Sequence, residues 1–205
     1  MSTPITSGAV NWTTPVTIGS NGLVSSTDLN ALNYDAEFLY TKPYSAVFLT
    51  ANTGAIGTAT QLFTSGTSVI SNTPGSGAIT FSAGTWTVPL TGLYRFTLVL
   101  NVGNTSSAAR FYGQLNLGGA TGGSVYLNTN NGITNNGSGI IQGISYSFIY
   151  PMSATAGAAY PHTASWYFNI GASQTAAIQG GNGATTNTGY QSYASVEYLG
   201  NNANY

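Results

Sequence analysis

The chain has 205 residues and 42% apolar side chains, enough for one large β domain or a domain with an extension, yet only 3% of it is charged, where a soluble domain has roughly 25%. The net charge is −1. Near-neutral chains tend to associate, so this surface should be covered by partner copies or hydrated by Asn, Ser, Thr and Gly. Three Lys and Arg residues are too few for nucleic-acid binding by counterion release or for holding an anionic membrane. The absence of cysteine excludes disulfides, thiolate zinc sites and thiol catalysis.

Residues 1–21 are polar, with Pro4 and Pro15, and read as an extended arm with a strand at Val16 to Ile18. The first residues, MSTPITSGAVNW, lack the basic and apolar regions of a secretory signal. No apolar run approaches the roughly 18 residues that a membrane span requires. Trp12 is the one large anchor in the arm, packing either on its own subunit or on a neighbour.

A short helix follows. Ser25, Ser26 and Thr27 can each cap it, and Asp28 sits where the first-turn dipole favours a carboxylate. Leu29, Leu32, Ala36, Leu39 and Tyr40 recur with helical spacing, Phe38 lies off that stripe, and Pro43 ends the element. A helix of about 13 residues is marginal alone, so packing must hold it. Four of the seven charged residues, Asp28, Asp35, Glu37 and Lys42, fall in this stretch.

Leu23, Val24, Ser25, Asp28, Leu29, Asn30, Ala31, Leu32, Asp35, Phe38, Leu39 and Pro43 form a pattern that resembles a segment near the N-termini of phage tail and head-fibre proteins. Tyr34 stands where many relatives carry a basic residue. The resemblance implies a virion protein in which residues 1–43 dock to the particle or form a trimer stem, ahead of a distal head at residues 44–205. Leu29, Leu32, Phe38 and Leu39 are then the expected docking contacts.

From Tyr44 onward the pattern is β. YSAVFLTA, ATQLF, TSVI, two short strands about Gly84, GLYRFTLVLNVG, ARFYGQLNLGG, SVYLNT, IIQGISYSFIY, ASWYFNIG and YASVEYLG are separated by Gly- and Asn-rich turns. The clearest strand puts Tyr94, Phe96, Leu98, Leu100 and Val102 on one face, and Arg95, Thr97, Val99 and Asn101 on the other. Roughly eight to ten short strands at this spacing predict an all-β sandwich or jelly roll.

TWTVPLTGLYRFTL supplies Trp86, Thr87, Pro89, Gly92, Tyr94 and Phe96 in an arrangement that resembles the jelly rolls of the complement globular-head and tumour necrosis factor group. Trp86 replaces that group's usual Phe. SAVFLTA corresponds to its first strand, SWYFNIGASQTAAI to a late strand pair and YASVEYLG to its closing strand. Ala172 and Ser173 stand where the group carries an acidic residue. The resemblance implies a homotrimer, with Trp86, Tyr94, Phe96 and Leu98 serving trimer or core packing.

Catalytic patterns fail on inspection. Asp28, Asp35 and Glu37 share one helical segment and form no cleft, Glu197 lies far along the chain, and His162 is the only histidine. No Gly-x-Ser-x-Gly occurs. LGGATGGS lacks the Lys of a phosphate loop and reads as a turn. The expectation is therefore no enzyme, cofactor or metal site. Tyr112, Tyr126, Tyr160 and Tyr190, in or near long loops with amides close by, are the candidate receptor-facing residues, because aromatic faces beside amides suit sugars and rigid protein contacts.

The expected protein is thus a bacteriophage structural subunit with partners in its own copies, other virion proteins and a host-surface glycan or protein. A capsid decoration (cement) protein and a lectin-like carbohydrate-binding module are the alternatives.

Overall fold

The computed structural model describes residues 42–71, 77–103, 109–128, 133–135, 142–171, 174–181 and 192–200. The arm and helix expected over residues 1–41 lie outside them. The described chain forms thirteen β-strands in two antiparallel sheets. In chain order they are β1 (Tyr44–Leu49), β2 (Thr60–Gln61), β3 (Thr67–Ser71), β4 (Thr80–Ser82), β5 (Thr85–Thr87), β6 (Gly92–Gly103), β7 (Ala109–Gly118), β8 (Val125–Asn128), β9 (Ile133–Asn135), β10 (Gln142–Met152), β11 (Thr163–Ile170), β12 (Ala177–Ile178) and β13 (Tyr193–Gly200).

One sheet, sheet I, has the order β10-β6-β13-β1-β3, with β12 pairing the end of β6. The other, sheet II, has the order β4-β5-β11-β7-β8, with β2 on β11 and β9 on β7. From β5 onward the chain passes repeatedly between the sheets, and its first and last strands pair, Tyr44 lying opposite Glu197. This is the double Greek-key connectivity of a jelly roll.

The core follows from the period of two. In β6, Tyr94, Phe96, Leu98, Leu100 and Val102 are all fully buried while Arg95 is exposed. Sheet II answers with Trp86, Phe111, Leu115, Leu117, Ala164, Trp166, Phe168 and Ile170. Each large apolar side chain buried here contributes about 1.5–3 kcal/mol. Gly113 also points inward, where a Cβ would come 2.8 Å from Leu98. The missing side chain gives Leu98 and Trp166 their room.

Several strands depart from the expectation. ATQLF contributes only Thr60–Gln61 to a ladder. Ala59 and Phe63 on either side have positive φ of 55° and 59°, which turns the chain out of extended geometry. The turn-rich run after β8 contains β9, paired to the start of β7. SWYFNIGASQTAAI is not a pair: β11 belongs to sheet II, whereas β12 crosses over to β6 in sheet I. The two short strands about Gly84 form β4 and β5 as expected, with Gly84 at φ +80° in the turn between them.

Candidate functional site

Trp86, Tyr94, Phe96 and Leu98 are all fully buried inside one chain's own sandwich. The Trp86 indole donates a hydrogen bond to Ser45 Oγ at 3.2 Å, which ties β5 to β1 across the core. The Tyr94 hydroxyl donates to the Leu90 carbonyl at 2.8 Å, and the Leu90 amide donates back at 3.3 Å. This closes the corner entering β6. Burial raises the Tyr94 phenol well above its ordinary value, and the Leu90 hydrogen bond only partly offsets that. Copies of the chain can therefore meet only through other side chains.

Two outward sheet faces remain, and they differ in chemistry. On sheet I, the register sets Ser145, Val99, Tyr193, Phe48 and Ser68 in one row, and Ile149, Arg95, Glu197 and Tyr44 in the next but one. Phe48 and Tyr193 stack with ring centroids 5.6 Å apart. Ile70 and Ile149 are 58% and 56% exposed. Arg95 and Glu197 form an ion pair at 3.2 Å, each about half exposed. The row between those two rows carries Ser147, Thr97, Ser195, Ala46 and Ile70, so the face mixes apolar and hydroxyl side chains and is locally neutral.

On sheet II, the outward positions of β7 are Arg110, Tyr112, Gln114 and Asn116, because Phe111, Leu115 and Leu117 take the inner face. The same alternation in β11 turns Ser165, Tyr167 and Asn169 outward, and in β8 Tyr126 and Asn128. The ladders place Tyr126 beside Asn116, Gln114 beside both Asn128 and Tyr167, and Tyr167 beside Gln61.

The amides on this face are mutually fixed. Asn169 Nδ2 donates to Gln114 Oε1 at 3.3 Å, and Gln114 Nε2 donates to Asn116 Oδ1 at 2.6 Å. Tyr167 donates to Gln61 Oε1 at 3.4 Å, while Gln61 Nε2 donates to Thr85 Oγ1 and to the Ala83 carbonyl, both at 3.2 Å.

The candidate tyrosines are divided between strands and connections. Tyr112 and Tyr126 lie within strands β7 and β8 on the outer face of sheet II, because each alternates with a core residue. Tyr160 is half-buried in the connection between β10 and β11. Tyr190 and the docking residues Leu29, Leu32, Phe38 and Leu39 lie outside the described residues. Tyr167, Gln114 and Asn169 escaped the sequence reading, although their alternation with Trp166, Phe168 and Leu115 was the signal that could have found them.

A cleft of about 320 Å³ lies along residues 49–66. Two of its polar side chains are occupied: Thr53 Oγ1 accepts from the Ile178 amide and Asn52 Oδ1 from the Gly180 amide, both at 2.9 Å. They pin the segment after β1 onto β12. His162 Nδ1 lies 2.9 Å from the Ser153 carbonyl oxygen, and its backbone bonds to Gly118 and Val88. It thus holds the β10–β11 connection against the ends of β5 and β7. Among the described residues Glu197 is the one carboxylate side chain, and Arg95 engages it.

No family model and no curated protein sequence matches the chain. Among known structures it is similar to the PRD1 vertex protein P5, with 12% identity over 78% of this chain and 99% of that one, at a TM-score of 0.45. It is also similar to the globular domain of zebrafish complement 1qA protein, with 12% identity over 78% and 99% of the two chains, at a TM-score of 0.42.

Proposed function

We propose that this chain is a structural subunit of a phage particle, assembled as a homotrimer that docks through residues 1–43 and displays the jelly roll as its head. The observation that carries the assembly is the outer face of sheet I. Phe48, Ile70, Val99, Ile149 and Tyr193 spread apolar surface there, and its two charges cancel each other. Such a face is costly in water and presents no charge repulsion to another copy of itself. The N-terminal pattern from Leu23 to Pro43 supports the docking role.

Sedimentation and particle incorporation test this reading together. The full chain should sediment at three times its 21.1 kDa mass at micromolar concentration, and the double variant Ile70→Lys, Ile149→Lys should shift toward monomer. A chain lacking residues 1–43 should fail to enter particles. A monomeric wild type, or full incorporation of the truncated chain, defeats the proposal.

A further inference from the structure

We infer that the outer face of sheet II is a binding platform for neutral oligosaccharide. The inference deepens the proposed function and rests on it in one respect: with sheet I taken up by copies, sheet II is the broad face left outward. Its chemistry then selects the ligand class.

The face combines tyrosine rings with amides and hydroxyls and has almost no charge. Tyr126 is 58% exposed and stands directly opposite Asn116, with Ser165 next across the ladder. Tyr167 stands between Gln114 and Gln61. Along each such row the strands are about 4.8 Å apart, close to the length of one pyranose unit. Successive sugar rings laid across the strands would meet an aromatic, amide or hydroxyl side chain at each step. Aromatic faces take the apolar C–H side of a sugar, and amides bond its hydroxyls.

The amides are also held in place before any ligand arrives. Asn169 is only 7% exposed and fixes Gln114, which in turn fixes Asn116 at 2.6 Å. Fixed polar groups lose little rotamer freedom on binding. Gln114 uses one amide proton and one carbonyl lone pair in this chain, so capacity remains for a hydroxyl. Arg110, at the far end of β7, is the only described charge on the face. An anionic glycan would find one cation here, and a nucleic acid needs several.

The test uses the full-length protein and a panel of neutral probes (cellohexaose, a mannan and dextran), with heparin as the anionic control. Binding is followed by isothermal titration. At least one neutral probe should bind saturably, with affinity changing less than twofold between 50 and 500 mM salt. Tyr126→Ala and Tyr167→Ala should each weaken it tenfold or more, whereas Tyr160→Ala, off this face, should not.

Failure of every neutral probe overturns the inference. So does binding confined to heparin and abolished by salt, or binding indifferent to both sheet II variants. Sedimentation of the same samples separates this failure from that of the assembly. A trimer that binds no neutral glycan defeats the platform alone, and a monomer that binds defeats only the trimer.

Discussion

Trp86 and Trp166 are both fully buried, but their indole nitrogens fare differently. Trp86 Nε1 reaches Ser45 Oγ, whereas Trp166 Nε1 finds no acceptor among the described residues. Trp166 is held by packing, with its ring 5.9 Å from Phe148. Replacement by Phe shortens both side chains by a similar volume. Only at position 86 does it also strip a partner from a buried hydroxyl. Trp86→Phe should therefore cost about 1–2 kcal/mol more than Trp166→Phe, read from urea midpoints at unchanged slope. Equal losses would show that the Ser45 bond contributes nothing net. The sequence marked Trp86 through its place ahead of the Pro89 and Gly92 motif. Its partner Ser45, forty-one positions earlier, could be found only once the sheets had packed.

At the scale of the element, the start of β6 is set by a close approach. Gly92 has φ +155°, and a Cβ there would lie 2.6 Å from the Tyr198 ring, as well as pressing on the Gly200 carbonyl. Tyr198 in turn meets Tyr94 edge-on at 5.1 Å. Gly92 thus lets β13 close over the corner that Tyr94 and Leu90 form. Gly92→Ala should lower stability by about 2–4 kcal/mol, from overpacking and backbone strain together. Gly122→Ala, in the turn before β8 with nothing within 4 Å of the added Cβ, should change it by less than about 1 kcal/mol. Thermal melts of the two variants check the contrast, and equal Tm values would remove the close-approach argument. Element identity was largely legible: the period of two found β1, β6, β7, β10, β11 and β13. It overextended β2 into ATQLF, reached β12 only through the resemblance and missed β9, since two or three residues carry no period and owe their ladders to the neighbour they meet.

The whole molecule has few ionisable groups apart from tyrosine, with 14 Tyr against seven charged residues. Its dependence on pH should therefore appear on the alkaline side. Burial raises the phenols of Tyr94, Tyr198 and Tyr44 above their ordinary value, with a Ser195 hydrogen bond lowering Tyr44 somewhat. Between the unfolded value near 10 and the higher folded values, the unfolded chain sheds protons that the folded one retains. The stabilisation is complete below about pH 10 and is lost as pH rises through the folded range. Melts should change little from about pH 7 to 9 and then fall steeply, and Tyr94→Phe should flatten the fall. A stability curve level to pH 11 would contradict this.

Composition and periodicity alone determined that the chain is charge-poor and that its described head is all-β, and they assigned the core stripe of β6 residue by residue. They could do so because alternation along a strand is a local property, written in consecutive residues. Which strands share a sheet, and so which outward residues form one surface, is not local. Tyr112 and Tyr126 come from consecutive strands and Tyr167 from a strand far along the chain, and only the β8-β7-β11 ladder order sets them on one surface. The same packing turned Trp86, Tyr94, Phe96 and Leu98 inward. The tertiary structure thereby left the outer faces of sheet I and sheet II, the second lined by amides and tyrosines, as the two broad outward faces of the described head.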